Sequence, residues 1–157
     1  MITEKAIENL NTLLCINNDR VEGYKSAIYE AKEVDIKIMF STLAQTSLDC
    51  RKELIQELKK IGGKRNNGFR ETGKFFNVWR EMKKAIKKDD RQTILYSCKH
   101  GENVVLREYL KIINGSVSEQ NLECESVLYR QYKLLKADYE RINQLHNYFQ
   151  EEREEEV

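Results

Sequence analysis

Asn17, Ser47, Glu102, Gln131 and Asp138 are the residues of this 157-residue chain whose placement could carry chemistry, because each interrupts an otherwise apolar helical stripe. A polar group facing a core must find a partner or cost roughly 1–3 kcal/mol. Each of these residues lies near the middle of its own stripe. Antiparallel packing therefore predicts that they meet at about one height, as a single polar layer inside an apolar bundle. Two kinds of chemistry fit such a layer. Inward carboxylates can ligate a hard cation such as iron or manganese, as in di-iron bundles where two helices each give a Glu and two others each give a Glu-x-x-His. Alternatively Glu102 is held by donors from Tyr24, Tyr109, Asn17 or Gln131, and the layer fixes helix register. No Glu-x-x-His occurs; His100 lies two residues before Glu102 and His146 follows Leu145, both off the stripes. The residue types thus favour the register-fixing reading, with Glu102 buried within reach of Tyr24, Gln131 or Asp138. Were a metal held here, Glu102 and Asp138 would be its ligands.

Apolar residues at spacings of three and four define the elements that must position this layer. The first stripe runs Ile7, Leu10, Leu14, Asn17, Val21, Tyr24, Ile28, Ala31, and the second, after Glu33-Val34-Asp35, runs Ile36, Phe40, Leu43, Ser47, Cys50, Leu54, Leu58, Ile61. Gly62-Gly63 suits a left-handed cap at the end of the second helix. Lys64 to Gly68 reads as a loop, and a helix from about Glu71 to Lys88 follows, with Phe75, Phe76 and Trp79 docking it and lysines on a solvated face. Asp89-Asp90 opens the next stripe, Leu95, Cys98, Glu102, Val105, Tyr109, Ile112, closed by Asn114-Gly115-Ser116. The last reads Cys124, Leu128, Gln131, Leu135, Asp138, Ile142, Leu145, Phe149, then frays into the acidic run Glu151 to Glu156. Short joints make two antiparallel hairpins, while about 27 residues separate them and hold a helix of roughly 27 Å. That connectivity predicts an all-α, ferritin-like four-helix bundle with an additional helical crossover, spanning residues 1–157 as one domain.

Composition closes off several classes of function. There is no proline, 34% of residues are charged, and Lys+Arg 27 against Asp+Glu 26 leaves a net charge of +1. So balanced a charge offers no global field for nucleic acid or an anionic membrane. The N-terminal residues enter an amphipathic pattern directly, with neither a signal peptide nor a transmembrane run expected. Cys15, Cys50, Cys98 and Cys124 form no CxxC pair and read as reduced thiols of a cytoplasmic protein. An apolar edge through Ala6, Leu13 and Ala27 suggests that the first helix pairs two copies into a homodimer.

Glu22-Gly23-Tyr24, Glu53-Leu54 followed by Gly62-Gly63, Gly73 and Trp79, Cys98 with Gly101-Glu102, and Gln131 are, in that order, similar to an uncharacterised bacterial domain-of-unknown-function family of the ferritin-like superfamily. The resemblance covers nearly the whole chain. It implies a ferritin-like fold, a link to metal or stress physiology, and Glu22 as a third ligand beside Glu102 and Asp138. Asp138 stands where the family commonly has a histidine, about seven residues after the glutamine. Taken together, the residues predict a non-enzymatic structural or interaction-mediating bundle with a protein partner. The alternative is a divergent metal-binding protein or oxidoreductase of the iron or manganese type.

Overall fold

The computed structural model describes residues 2–65, 74–88, 90–115 and 122–155, with five α-helices and no strand among them. They are α1 (Ile2–Glu30), α2 (Val34–Lys60), α3 (Lys74–Lys88), α4 (Arg91–Gly115) and α5 (Leu122–Glu155). The expected elements are all present. The acidic run expected to fray is instead helical through Glu155.

Each boundary has a local cause. Glu33 is extended (φ −82°, ψ 132°) and breaks the helix between α1 and α2, so the chain reverses within three residues. Gly62 adopts φ +71°, the left-handed conformation that glycine enters without a Cβ penalty. There the amides of Gly62 and Gly63 donate to the carbonyls of Lys59 (3.1 Å) and Leu58 (2.9 Å), satisfying the end of α2. Asp90 starts α4: its carboxylate accepts from the Gln92 amide (3.1 Å) and the Thr93 hydroxyl (2.6 Å).

Contacts fix the relative directions of the helices. Asn11 on α1 donates to the Lys64 carbonyl just past α2 (3.0 Å), Arg51 on α2 donates to Asn18 (3.1 Å), and Arg20 reaches Leu43 and Ser47. Helices α1 and α2 are therefore antiparallel. On α4 and α5, Tyr109 meets Gln131 near one end and Tyr96 meets His146 near the other, so these are antiparallel too. Arg91 at the start of α4 is paired with Glu33 and Asp35 at the α1/α2 joint. Consequently α2 and α4 run one way and α1 and α5 the other, and the chain must return along the molecule between α2 and α4. Helix α3 lies in that return, packed on α1 and α4.

The core divides into two apolar clusters on either side of a polar zone. One holds Tyr24, Ala27, Phe40, Met82, Ile86, Leu95, Cys98 and Ile142; the other holds Leu10, Leu13, Leu54, Leu58, Val105, Tyr109, Leu128 and Leu135. Trp79 seats α3: its indole lies against Gly23 and meets the Tyr24 ring edge-on (centroids 5.0 Å, 77°). The side chains of Phe75 and Phe76, the other expected anchors, lie outside the described residues. The homodimer edge expected on α1 is corrected here, because Leu13 and Ala27 are 0% and 2% exposed and belong to the two core clusters. Helix α1 packs against α2, α3 and α4, so that edge is already covered within one chain.

Candidate functional site

The stripe residue that dominates the centre of the molecule is one the apolar periodicity passed over. Arg20 lies three residues after Asn17 and four before Tyr24, on the same face of α1, and is fully buried. Its Nε donates to both oxygens of Glu102 (2.9 and 3.1 Å). Nη1 donates to Ser47 Oγ (2.7 Å) and the Leu43 carbonyl (3.2 Å), and Nη2 faces Glu102 Oε2 (2.8 Å) and Asp138 Oδ2 (3.3 Å). All three guanidinium nitrogens thus have acceptors, supplied by α2, α4 and α5. Glu102 also accepts from the Tyr24 hydroxyl, and Asp138 from Arg141, whose side chain is largely exposed. Two carboxylates face two guanidinium groups, so the charges of the cluster cancel. This balance is what permits burial of groups that would each cost several kcal/mol alone.

Electrostatics follow from that arrangement. Burial opposes the charge on Arg20, but Glu102, Tyr24 and Asp138 outweigh it, and its pKa rises above the ordinary guanidinium value. Burial first and then Glu102 push the Tyr24 hydroxyl far up, so it remains a proton donor to the carboxylate. The Cys98 thiol is pushed up by burial and by Glu102, and burial pushes Cys50 up to about 12. Neither thiol is a nucleophile at neutral pH.

A second set of polar side chains forms a tier of its own. Asn17 donates to the Leu13 carbonyl and to the Tyr109 hydroxyl (both 2.8 Å), and Tyr109 donates to Gln131 Oε1 (2.8 Å). Gln131 Nε2 donates to the Cys50 carbonyl (3.1 Å) and Glu53 (3.3 Å), and Glu53 pairs with Arg130 at the surface. The single layer expected from the sequence is therefore two: Arg20, Tyr24, Ser47, Glu102 and Asp138 in one, and Asn17, Tyr109 and Gln131 in the other. Residues 102 and 109 on α4, and 131 and 138 on α5, are two helical turns apart, about 10 Å, too far for one side chain to serve both levels.

Of the candidate metal ligands, Glu102 and Asp138 converge, with the Arg20 guanidinium between them. Glu22 is exposed on α1 and does not share their environment. Among the described residues no group of three His, Cys, Asp or Glu could hold a metal ion. His100 is exposed; His146 is half-buried beside Tyr96, with its pKa lowered by burial and Lys99. Glu102 does reach Tyr24, as its spacing predicts, but it reaches Asp138 only through Arg20. The signal that would have revealed Arg20 was a cation at spacings of three and four from Asn17 and Tyr24, which a search for apolar residues treats as surface.

No described helix is long and apolar enough to cross a membrane. No curated protein matches this chain. A family model, described as a domain of unknown function (DUF2383), matches residues 5–115. The matched segment holds Arg20, Tyr24, Ser47 and Glu102, while Gln131 and Asp138 lie beyond it on α5. A match over more than half of its length makes this chain a member of the DUF2383 family.

Proposed function

We propose that this chain is a ferritin-like four-helix bundle, formed by α1, α2, α4 and α5 with α3 as the crossover, and that it acts without catalysis as a structural or interaction-mediating protein. The reading of the fold is supported by the helix directions and by α3 lying in the return between α2 and α4. The reading of the role is carried by one observation: the buried ionisable groups satisfy one another. Arg20 neutralises Glu102 and, with Arg141, Asp138, leaving the carboxylates no lone acceptor role toward a substrate. The cluster joins α1, α2, α4 and α5, which suits a device that fixes helix register. Cysteines that form no disulfide suit a cytoplasmic setting, and a homodimer remains the proposed assembly.

The alternative, an iron- or manganese-binding protein or oxidoreductase, draws on the convergence of Glu102 and Asp138. In that reading a cation would replace the Arg20 guanidinium between them, with Glu22 recruited from the surface of α1. Elemental analysis of protein purified without chelator, as wild type and as Glu102→Gln, separates the two. The proposed role predicts no stoichiometric metal in either protein. Stoichiometric iron or manganese that disappears with Glu102→Gln would overturn it.

A further inference from the structure

The chain's near-neutral total conceals a segregation of charge. Along α3, Met82, Ala85 and Ile86 are buried in the core, while Arg80, Lys83, Lys84, Lys87 and Lys88 are exposed. Their spacings of one, three and four place the five cations on one side of the helix, opposite the buried three. Glu81 is the sole acid among residues 80–88, and it pairs with Lys84 (3.5 Å). Lys83, Lys87 and Lys88 have no ion-pair partner among the described residues. Because α3 packs on α1 and α4 through its apolar side, the cationic side faces away from the bundle. Taken with α4, the excess grows: residues 74–115 hold ten lysines and arginines against five acids, one of which, Glu102, is buried on Arg20. The chain as a whole is only +1, so the compensating negative charge lies in the rest of the sequence.

From these observations we infer that the lysine side of α3 is a docking surface for an anionic lipid bilayer, held by electrostatic attraction alone. A cluster of roughly four to eight lysines and arginines on an amphipathic helix is the composition that attracts acidic lipid headgroups. At physiological salt a charge is felt over about 8 Å, so an approaching surface responds to the face it meets and not to the chain's total. Four of the five cations are lysines, compact charges that suit a diffuse sheet of headgroups, whereas the arginine fork suits the paired acceptors of a base edge. Trp79, the aromatic of residues 79–88, is seated on Gly23 and Tyr24, so it offers no platform on which a base could stack. Both points argue for lipid over nucleic acid. The described apolar side chains of α3 are engaged in the core and cannot insert, so the contact is peripheral and salt-sensitive. The inference rests on the interaction-mediating reading and names its partner.

Flotation of the full chain with vesicles of phosphatidylcholine alone, and of equal parts phosphatidylcholine and phosphatidylglycerol, tests this at about 0.1 M and about 1 M salt. The expected result is binding to the anionic vesicles at the lower salt, none to the neutral ones, and release at the higher salt, where the screening length falls from about 10 Å to about 3 Å. Lys83→Glu with Lys87→Glu should weaken binding by at least about 100-fold. Lys83→Gln with Lys87→Gln should weaken it less, and unchanged circular dichroism and Trp79 emission show that α3 stays seated. Lys52→Glu with Lys136→Glu makes the same change in net charge at exposed positions of α2 and α5 and should leave binding as it is. A wild type that ignores the anionic vesicles, binding that survives high salt or the α3 reversal, or an equal loss from the α2 and α5 reversal would each overturn the inference. Tighter binding to a short DNA duplex than to the vesicles would overturn it in favour of nucleic acid. Failure here leaves the metal test on Glu102 to decide the proposed function, and stoichiometric metal lost with Glu102→Gln would remove that function without moving vesicle binding.

Discussion

Replacing Gly23 by alanine should destabilise this protein, although glycine-to-alanine changes inside helices ordinarily stabilise by roughly 0.5–1 kcal/mol. The reversal of sign comes from Trp79. A Cβ at position 23 would lie 2.5, 2.6 and 2.9 Å from three carbons of the indole. Carbon pairs are comfortable at about 3.5–4.0 Å, so the ring must retreat by about 1 Å. It cannot do so freely, since its other side meets Tyr24, whose ring is stacked on Phe40 and whose hydroxyl donates to Glu102. Overpacking of this kind costs about 1–3 kcal/mol, and subtracting the helix-propensity gain leaves a net loss centred on about 1 kcal/mol and reaching about 2.5 kcal/mol. Urea unfolding followed by circular dichroism measures the loss, and the emission of Trp79, the sole tryptophan, should shift to the red as α3 lifts. In a Trp79→Leu background the same Gly23→Ala change should become stabilising. An increase in stability on the wild-type background, or an equal effect in both backgrounds, would refute the close approach of α3 to α1.

Further outcomes can be checked with simple probes. In the native state a thiol reagent should label Cys15, which is partly exposed, well before Cys50 and Cys98, which are buried and have raised pKa values; labelling of Cys50 and Cys98 as fast as Cys15 would place them off the core. Burial opposes the charge on Glu53, but hydrogen bonds from Arg130 and Gln131 outweigh it and hold its carboxyl below the ordinary value. A depressed carboxyl contributes stability above its unfolded pKa and loses it as pH falls through the folded value. Stability should therefore decline as pH falls below the ordinary carboxyl value of 4.5, and Arg130→Ala should flatten part of that decline; an unaltered acid limb would show that the pair contributes nothing. Tyr109→Phe strands both the Asn17 donor and the Gln131 acceptor and should cost about 1–3 kcal/mol in urea unfolding, whereas a loss below about 0.5 kcal/mol would show the second tier to be energetically idle.

The helices were legible because each presents a long apolar stripe, from Leu10 to Ala31 on α1 and from Leu128 to Ile142 on α5, and because Gly62 marks a left-handed turn that few other residues tolerate. The burial of Glu102, Asp138, Asn17, Ser47 and Gln131 was legible for the same reason: each occupies a stripe position. What the stripes concealed was Arg20, since a charged residue earns no weight in an apolar periodicity even when three- and four-residue spacings place it inward. Without its cation the layer showed two carboxylates that either donors such as Tyr24 and Gln131 or a metal would have to hold. The division into two tiers was hidden as well, because helix-centre positions on four helices of different offset can only be aligned once the hairpin registers are known. The dimer edge through Leu13 and Ala27 failed on a related point: periodicity on α1 cannot tell a face covered by another copy from a face covered by α2, α3 and α4.

Arg20 and Glu102 should act as one closed, structural unit, and the coupling free energy between them tests this most directly. Urea unfolding of the wild type, Arg20→Met, Glu102→Gln and the double variant supplies it. Removing Arg20 leaves two buried carboxylates held by the Tyr24 hydroxyl and, at the rim, by Arg141, a loss of about 3–5 kcal/mol. Once Glu102 is already an amide, the same removal strands one carboxylate fewer. The expected coupling is therefore about 2–3 kcal/mol, with the double variant more stable than the sum of the single losses implies. Additive losses, with coupling below about 0.5 kcal/mol, would contradict it.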